Sequence, residues 1–393
     1  MFSSNTPPRL GTLVLLTASA VLTLNMFMPS LPAMARDLNA SPTVMTLAVS
    51  GYMLVSAVLQ IVIGPLSDRL GRRPVMLATL VVYLVASLGC VLARDVGVFL
   101  AFRMAQGVVI SGSVLSSAII RDQFSAREAA GKMGSIAAAM ALAPMLGPMI
   151  GGIFESTIGW RMIFMFYTAL GALALALVWA DLGETRIKAP RPIRPTDYVA
   201  LLRSMVFWAY VLCQAFSVGA FYIFLTGVPF VATQSYGLSS AVIGIGLGSI
   251  TGGFMLGAAL TSRLAPRLGL GRLIIAGRLV PSIGLSFGLV AFLIGFSNPL
   301  LLFGVTLTVG IGNGLTLSNA NAGALSVRPD LAGTAAGLTG ALAIALGAGL
   351  TWITALIIEQ SATGATLLAL ILLSVVLSLI AGLIAIRRDP TAS

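Results

Sequence analysis

Apolar residues run along this chain in blocks of roughly 20, the number a helix needs to cross the hydrocarbon core of a bilayer. Short polar knots separate the blocks. Twelve blocks can be marked, at 11–34, 45–66, 75–93, 98–120, 132–154, 161–182, 205–230, 240–262, 272–295, 299–325, 334–358 and 363–386. Helices satisfy their own backbone groups in lipid, so repeated blocks of this length predict an all-α polytopic membrane protein with twelve transmembrane helices. An even number of crossings puts both termini on one face.

Composition agrees. Of 393 residues, 58% are hydrophobic and 9% charged, and mean hydropathy is +1.02. The net charge of +11 raises nucleic acid as a partner, but its placement speaks against that. Arg36, Arg94 and Arg161 fall on one face, Arg103 and Arg278 inside helices, and the other 18 of 23 basic residues in loops and termini of the opposite face. By the positive-inside rule that face is cytoplasmic, in the cell's inner membrane. Cys90 and Cys213 lie in apolar runs and the chain has no His, so neither a disulfide, a metal site nor a cofactor is expected. The stretch from Ser3 to Arg9 is polar and the first apolar run is long enough to span, so no cleavable leader is expected.

The longest polar interval, 183–204, carries Arg186, Lys188, Arg191, Arg194 and Arg203 with Pro190, Pro192 and Pro195. It reads as a basic linker between an N-terminal six-helix bundle, 1–182, and a C-terminal one, 205–393. Thr196 or Asp197 could cap a short surface helix from Tyr198 to Leu202. The halves carry an echo: Arg69-Leu70-Gly71 returns as Arg267-Leu268-Gly269, each between the second and third helix of its half, with Ala265 and Pro266 where the first copy has its acid. Such repeats imply a pseudo-two-fold axis along the membrane normal and a central cavity.

The loop Gly64-Pro65-Leu66-Ser67-Asp68-Arg69-Leu70-Gly71-Arg72-Arg73 resembles the signature of the major facilitator superfamily. A basic stop-transfer loop would account for Arg69, Arg72 and Arg73, but not for Gly64, Asp68 and Gly71 at these spacings. In resembling families the cluster locks the cytoplasmic side while the cavity faces outward. Here Arg72 could pair with Asp122, and Asp68 could face the positive N-terminus of the eleventh helix near Asp330 and Gly333.

Further along, Pro144-Met145-Leu146-Gly147-Pro148-Met149-Ile150-Gly151-Gly152 resembles the antiporter signature of the same superfamily. Gly147 and Gly151 share a helix face, and the eighth helix offers a matching stripe at Gly244, Gly248 and Gly252, so the two helices are expected to meet there. Arg103-Met104-Ala105-Gln106-Gly107 resembles the drug-transporter pattern. Arg103 would face the cavity or snorkel to an interface, and Arg278 would snorkel toward the cytoplasm. The stretch Asn25-Met26-Phe27-Met28-Pro29-Ser30-Leu31-Pro32 is similar to one in Bcr/CflA-type multidrug transporters, with Asn25 where that group carries its membrane carboxylate and Phe27 where it has Tyr.

The resemblance implies a secondary active transporter that exports small amphiphilic molecules by alternating access, as a monomer in the lipid bilayer, with protons as coupling ion. An exporter of a specific anionic metabolite, a facilitator and an uptake symporter share the same fold. A channel fits poorly with a cytoplasmic lock, and an enzyme with the absence of a nucleophile–base pair. Cavity candidates are Asn25, Phe27, Tyr52, Arg103, Gln106, Gln214, Tyr222, Asn313 and Asn319, with Gln60 and Asn321 as further polar groups and Phe216, Phe221, Phe224 and Phe230 as aromatic walls. With Arg103 and no carboxylate, the cavity would favour neutral or anionic substrates.

Overall fold

A computed structural model describes residues 8–185 and 195–389. Its long apolar helices are Leu10–Asn25 continued by Leu31–Asp37, Pro42–Leu70, Arg72–Leu92, Val96–Ala105 continued by Ile110–Gln123, Ala126–Ile158, Arg161–Asp181, Met205–Tyr236, Ser240–Leu293, Pro299–Ser326, Ala332–Gln360 and Gly364–Arg388. The helix Ser240–Leu293 has 54 residues, about 80 Å of rise, far more than one bilayer core of about 30 Å. It breaks at Gly269, where φ is 76° and ψ 165°. It therefore supplies the eighth and ninth spans, and the chain makes twelve passes. We number the spans first to twelfth in this order.

The third span follows the second through Gly71, which has φ 103° and ψ 150°. Gly71 and Gly269 thus turn the chain in the same way at the same place in each half, and the sequence echo is a shared backbone requirement. A side chain at either angle pair is strained. At Gly71 a Cβ would also strike the Glu184 carboxylate.

Local chemistry explains the other breaks. Pro29 and Pro32 lack the amide hydrogens that a continuous helix would need, so the first span stops at Asn25, passes a tight turn at Met28–Ser30 and resumes at Leu31. The fifth span opens on a capping box. The Ser125 hydroxyl accepts from the Glu128 amide, and the Glu128 carboxylate accepts from the Ser125 amide at 3.1 Å. The short helix near the linker runs Pro195–Leu202, so Thr196 and Asp197 fall within its first turn rather than before it. Linker positions 186–194 lie outside the described residues.

We call the face carrying Gly71 and Gly269 the basic end. Near it, two separate cores form. One packs Leu13, Leu16, Met76 and Ile119; the other packs Phe207, Tyr210, Ile274 and Ala324. Toward the opposite end, one core joins both sets of spans, with Met26, Phe27 and Phe164 in the same cluster as Phe224, Ile243 and Leu367. The molecule is closed at the opposite end and parted at the basic end. Outward-facing side chains such as Leu54, Val58, Val85, Ile283 and Phe287 are exposed, as lipid-facing positions are.

We expect Gly269→Ala to lower stability by about 1–3 kcal/mol, the cost of holding an L-residue in that backbone region. Gly71→Ala should cost more, because the Glu184 carboxylate must also move. Thermal unfolding of the two variants in detergent checks the order, and equal effects would remove Glu184 from the account.

Candidate functional site

The loop signature builds a charged cluster at the basic end. Arg72 donates to the Asp68 carboxylate at 2.7 Å and to that of Asp122 at 3.2 Å. Its guanidinium also donates to the Ser67 hydroxyl. The Glu184 carboxylate accepts from the backbone amides of Arg72, at 2.9 Å, and Arg73, at 3.4 Å. It caps the third span at the positive end of the helix dipole. Arg73 donates to the Trp179 carbonyl, and Arg69 is exposed. The cluster thus ties the second, third, fourth and sixth spans together. Nothing in the signature pointed to Glu184, which lies 113 residues beyond Gly71 at the end of the sixth span.

The eleventh span stands away from this cluster. A cleft of about 390 Å³ lies between Gln60, Gly64 and Pro65 on one side and Gly333, Thr334 and Gly337 on the other. Asp330 pairs with Arg328. A Cβ at Gly64, Gly333 or Gly337 would meet nothing within 4 Å, whereas deeper along the same two helices Gly340 approaches Gln60, and Gly347 approaches Met53. The second and eleventh spans converge toward the opposite end.

The glycine stripes divide their contacts. A Cβ at Gly151 would overlap the Met26 carbonyl, and one at Gly147 would touch Leu22 and Met26, so this face packs on the break of the first span. Gly152 sits against the Ser240 carbonyl of the eighth span, Gly244 against the Pro148 carbonyl, and Gly248 against Met145 and Met149. Gly252, one turn nearer the basic end, meets nothing. The fifth and eighth spans therefore touch along Gly152, Gly244 and Gly248, while Gly147 and Gly151 serve the first span. At the opposite end the Glu359 carboxylate accepts from the Thr43 amide at 3.3 Å and from the Ser41 hydroxyl, joining the eleventh span to the start of the second.

Arg103 is fully buried within the first six spans and does not line the cavity. It donates to the carbonyls of Ala48 at 3.0 Å and Thr23 at 2.9 Å, and to the Gln106 side chain at 2.7 Å. Its guanidinium carbon lies 4.3 Å from the ring centres of both Phe27 and Tyr52. Gln106 in turn donates to Ser87. Asn25 is buried beside this group; its amide donates to the Val21 carbonyl at 2.8 Å and its Oδ1 has no partner. Phe27, Tyr52, Arg103 and Gln106 thus form a buried cluster within one set of spans, and Asn25 is buried without a bond to it. Asn319 donates to the Leu315 carbonyl, and the half-buried Gln214 has an unpartnered Oε1.

A central cavity of about 370 Å³ lies between the two sets of spans. Of the polar candidates, Tyr222 and Asn313 line it, together with Phe221 and Pro144; Thr251, Phe254 and Met140 join them. Sequence reading missed these three because small polar and apolar residues on a membrane helix carry no distinguishing spacing. Arg278 departs from expectation. Rather than snorkelling it is fully buried, donating to Thr316 at 2.9 Å and to Asn313 Oδ1 at 2.9 Å. The ninth span packs so closely on the tenth, with Gly277 and Gly312 at the contact, that the guanidinium finds partners across the seam before it reaches water. Cys90 and Cys213 are buried and unbridged.

Proteins of this build form a class of membrane carriers in which two sets of spans enclose a site between them. The model of the Major Facilitator Superfamily matches residues 13–352, and the chain belongs to that family. It is 31% identical over 326 residues to a chloramphenicol resistance protein of Pseudomonas aeruginosa, covering 80% of this chain and 76% of that protein. It is 29% identical over 330 residues to a bicyclomycin resistance protein homolog of Haemophilus influenzae, covering 82% and 83%. Among solved structures, a bacterial homolog of the human lysosomal transporter Spinster superposes with a TM-score of 0.76 at 17% identity, over 98% of this chain and 96% of that one; this is a likeness of fold. The chain is a multi-pass membrane transporter of small molecules of Bcr/CflA-like type, not an enzyme.

Asp68→Asn should cut transport several-fold with little loss of stability, since Arg72 keeps Asp122 and the Asp68 side chain is 42% exposed. Transport in proteoliposomes beside thermal unfolding checks this; undiminished transport would leave the cluster a purely structural tie.

Proposed function

We propose that the chain exports small amphiphilic molecules, neutral or anionic in preference to cationic, by alternating access. The carrying observation is the central cavity, walled by Phe221, Tyr222 and Phe254 with few polar groups, next to a closed opposite end and a parted basic end. Aromatic walls with sparse polar groups suit ligands that are mostly apolar. Among the described residues every Asp and Glu lies in a loop or within about one turn of a helix end, so no carboxylate is available to a cation at the cavity. The names of the two relatives, resistance to chloramphenicol and to bicyclomycin, support drug export.

In this reading the basic end is cytoplasmic, in the inner membrane of the cell, with both termini there and the chain acting as a monomer. The structure then faces inward, ready to load. Residues 1–182 and 205–393 rock against each other about the cavity. The Arg72 cluster holds the basic end of one bundle rigid while Gly333 and its neighbours close on Gly64. Glu359 on Ser41 and Thr43 is released when the opposite end opens. A population shift of this kind needs a ligand that binds one state better than the other.

Protons are the proposed coupling ion, and Asn25 stands where the resembling transporters carry a carboxylate. An amide does not titrate. A second reading, a facilitator running down the substrate gradient, follows from that one residue. An Asp at the same place would be desolvated and could exchange protons near neutrality.

Expression in an efflux-deficient host should protect against neutral drugs of the chloramphenicol type and leave susceptibility to ethidium-like cations unchanged, read as inhibitory concentrations. The reverse pattern would sink the substrate class.

In inverted vesicles, Asn25→Asp should create or restore a dependence of transport on the pH gradient, read against the unmodified chain with the gradient on and then collapsed. If the Asn25 form already responds fully to collapse of the gradient, the first span is not the coupling site.

A further inference from the structure

Among the described residues the membrane interior holds two fully buried guanidinium groups and no carboxylate, and the two are not equivalent. Arg103 is complete. Two of its three acceptors are backbone carbonyls, and two aromatic rings lie against it. The Thr23 carbonyl belongs to the last turn of Leu10–Asn25, where the helix dipole is negative. Arg278 is incomplete. Its acceptors are the Thr316 hydroxyl and the Asn313 amide oxygen, and Nη1 has no partner although the residue is fully buried. A buried cation with a spare donor is costly unless something supplies an acceptor.

Asn313 is the link to the site. Its Oδ1 accepts from Arg278 at 2.9 Å, its Nδ2 donates to the Ser217 carbonyl at 3.1 Å, and the residue lines the central cavity. Across the same cavity wall Thr251 has a buried hydroxyl with no partner. We infer that Arg278, one hydrogen bond behind the cavity wall and uncovered when the Asn313 amide turns aside, forms with Thr251 an oxyanion subsite on the second-half side of the cavity, taking the carboxylate of an amphiphilic substrate. The apolar body of that substrate lies on Phe221, Tyr222 and Phe254. The inference rests on the proposed transport site and makes its substrate class specific: a monocarboxylate with an aromatic or aliphatic body is preferred to the same body without the charge.

The probes are 4-phenylbutyrate and its uncharged amide, which share one apolar body. In purified protein at fixed ionic strength, 4-phenylbutyrate should raise the unfolding temperature at concentrations where the amide and sodium chloride do not. Arg278→Gln should weaken binding of 4-phenylbutyrate about tenfold or more, in the range of a charge-assisted hydrogen bond, and change that of the amide less than about twofold. Arg278→Lys should recover part of the difference. Should Arg278→Gln fail to fold, the preference of the unmodified chain for acid over amide still decides. Equal stabilisation by acid and amide, or stabilisation by chloride matching that by 4-phenylbutyrate, would overturn the inference; the second outcome would make the site a seat for an inorganic ion. Binding is read without transport, so failure of the export reading leaves the acid-over-amide preference intact, and failure of the subsite leaves export of neutral drugs intact.

Discussion

The arrangement depends on one contact, that of the Arg103 guanidinium with the end of a broken helix. A charged side chain at mid-membrane costs about 2.5–3.5 kcal/mol even on permissive insertion scales. Pro29 and Pro32 stop the first span near Asn25 and leave carbonyls of its last turn in need of donors. Arg103 supplies one for Thr23, and Tyr167 adds a second donor at 3.1 Å to the Leu22 carbonyl, which also accepts from the Met26 amide. Each defect compensates the other: the break gives the cation an acceptor at a negative dipole end, and the cation satisfies the break. Ala48 brings the second span to the same group, and Gly151 lets the fifth approach the Met26 carbonyl. These contacts tie the first, second, fourth and fifth spans together, as the proposed alternating access would require.

Rigidity within a bundle leaves motion to the seams. Lipid tails are as apolar as Leu, so helix contacts in a membrane rest on close packing and hydrogen bonds more than on hydrophobic expulsion. At the opposite end Gly152, Gly244 and Gly248 bring backbones together, and Glu359 bonds across to the start of the second span. At the basic end the facing positions Gly64, Gly252 and Gly333 touch nothing. These empty glycines lie where closure of that end would bring the helices together, and larger side chains there would obstruct it.

The twelve passes were legible in the sequence because length and apolarity alone decide whether a helix can cross a bilayer. The turn at Gly71 and its echo at Gly269 were legible as well, because the backbone there admits little but glycine. Side-chain destinations were less so. Arg103, Gln106 and Tyr52 read as cavity residues by polarity, yet polarity inside a membrane marks either a cavity or a satisfied contact, and here they form the contact. Arg278 read as an interfacial residue because its distance from the span end allows snorkelling; its partners Thr316 and Asn313 lie on another helix and leave no local pattern. Glu184 was invisible for the same reason. It caps a helix three spans earlier in the chain, and no spacing rule joins them.

The electrostatics of the interior follow from where the acids are absent. With no carboxylate at mid-membrane, both buried guanidinium charges must be balanced by dipoles or by something that comes and goes. Arg103 has the dipole of a helix end and two ring faces, an arrangement independent of the occupant of the cavity. Arg278 has a hydroxyl and an amide, neither carrying charge, and one of them is itself part of the cavity wall. Any change at that wall therefore reaches the second guanidinium through a single bond, and reaches the first only through the packing of a whole bundle. On the proposed reading, charge discrimination belongs to the seventh, eighth, ninth and tenth spans, and the first, second and fourth form the frame against which those spans would move.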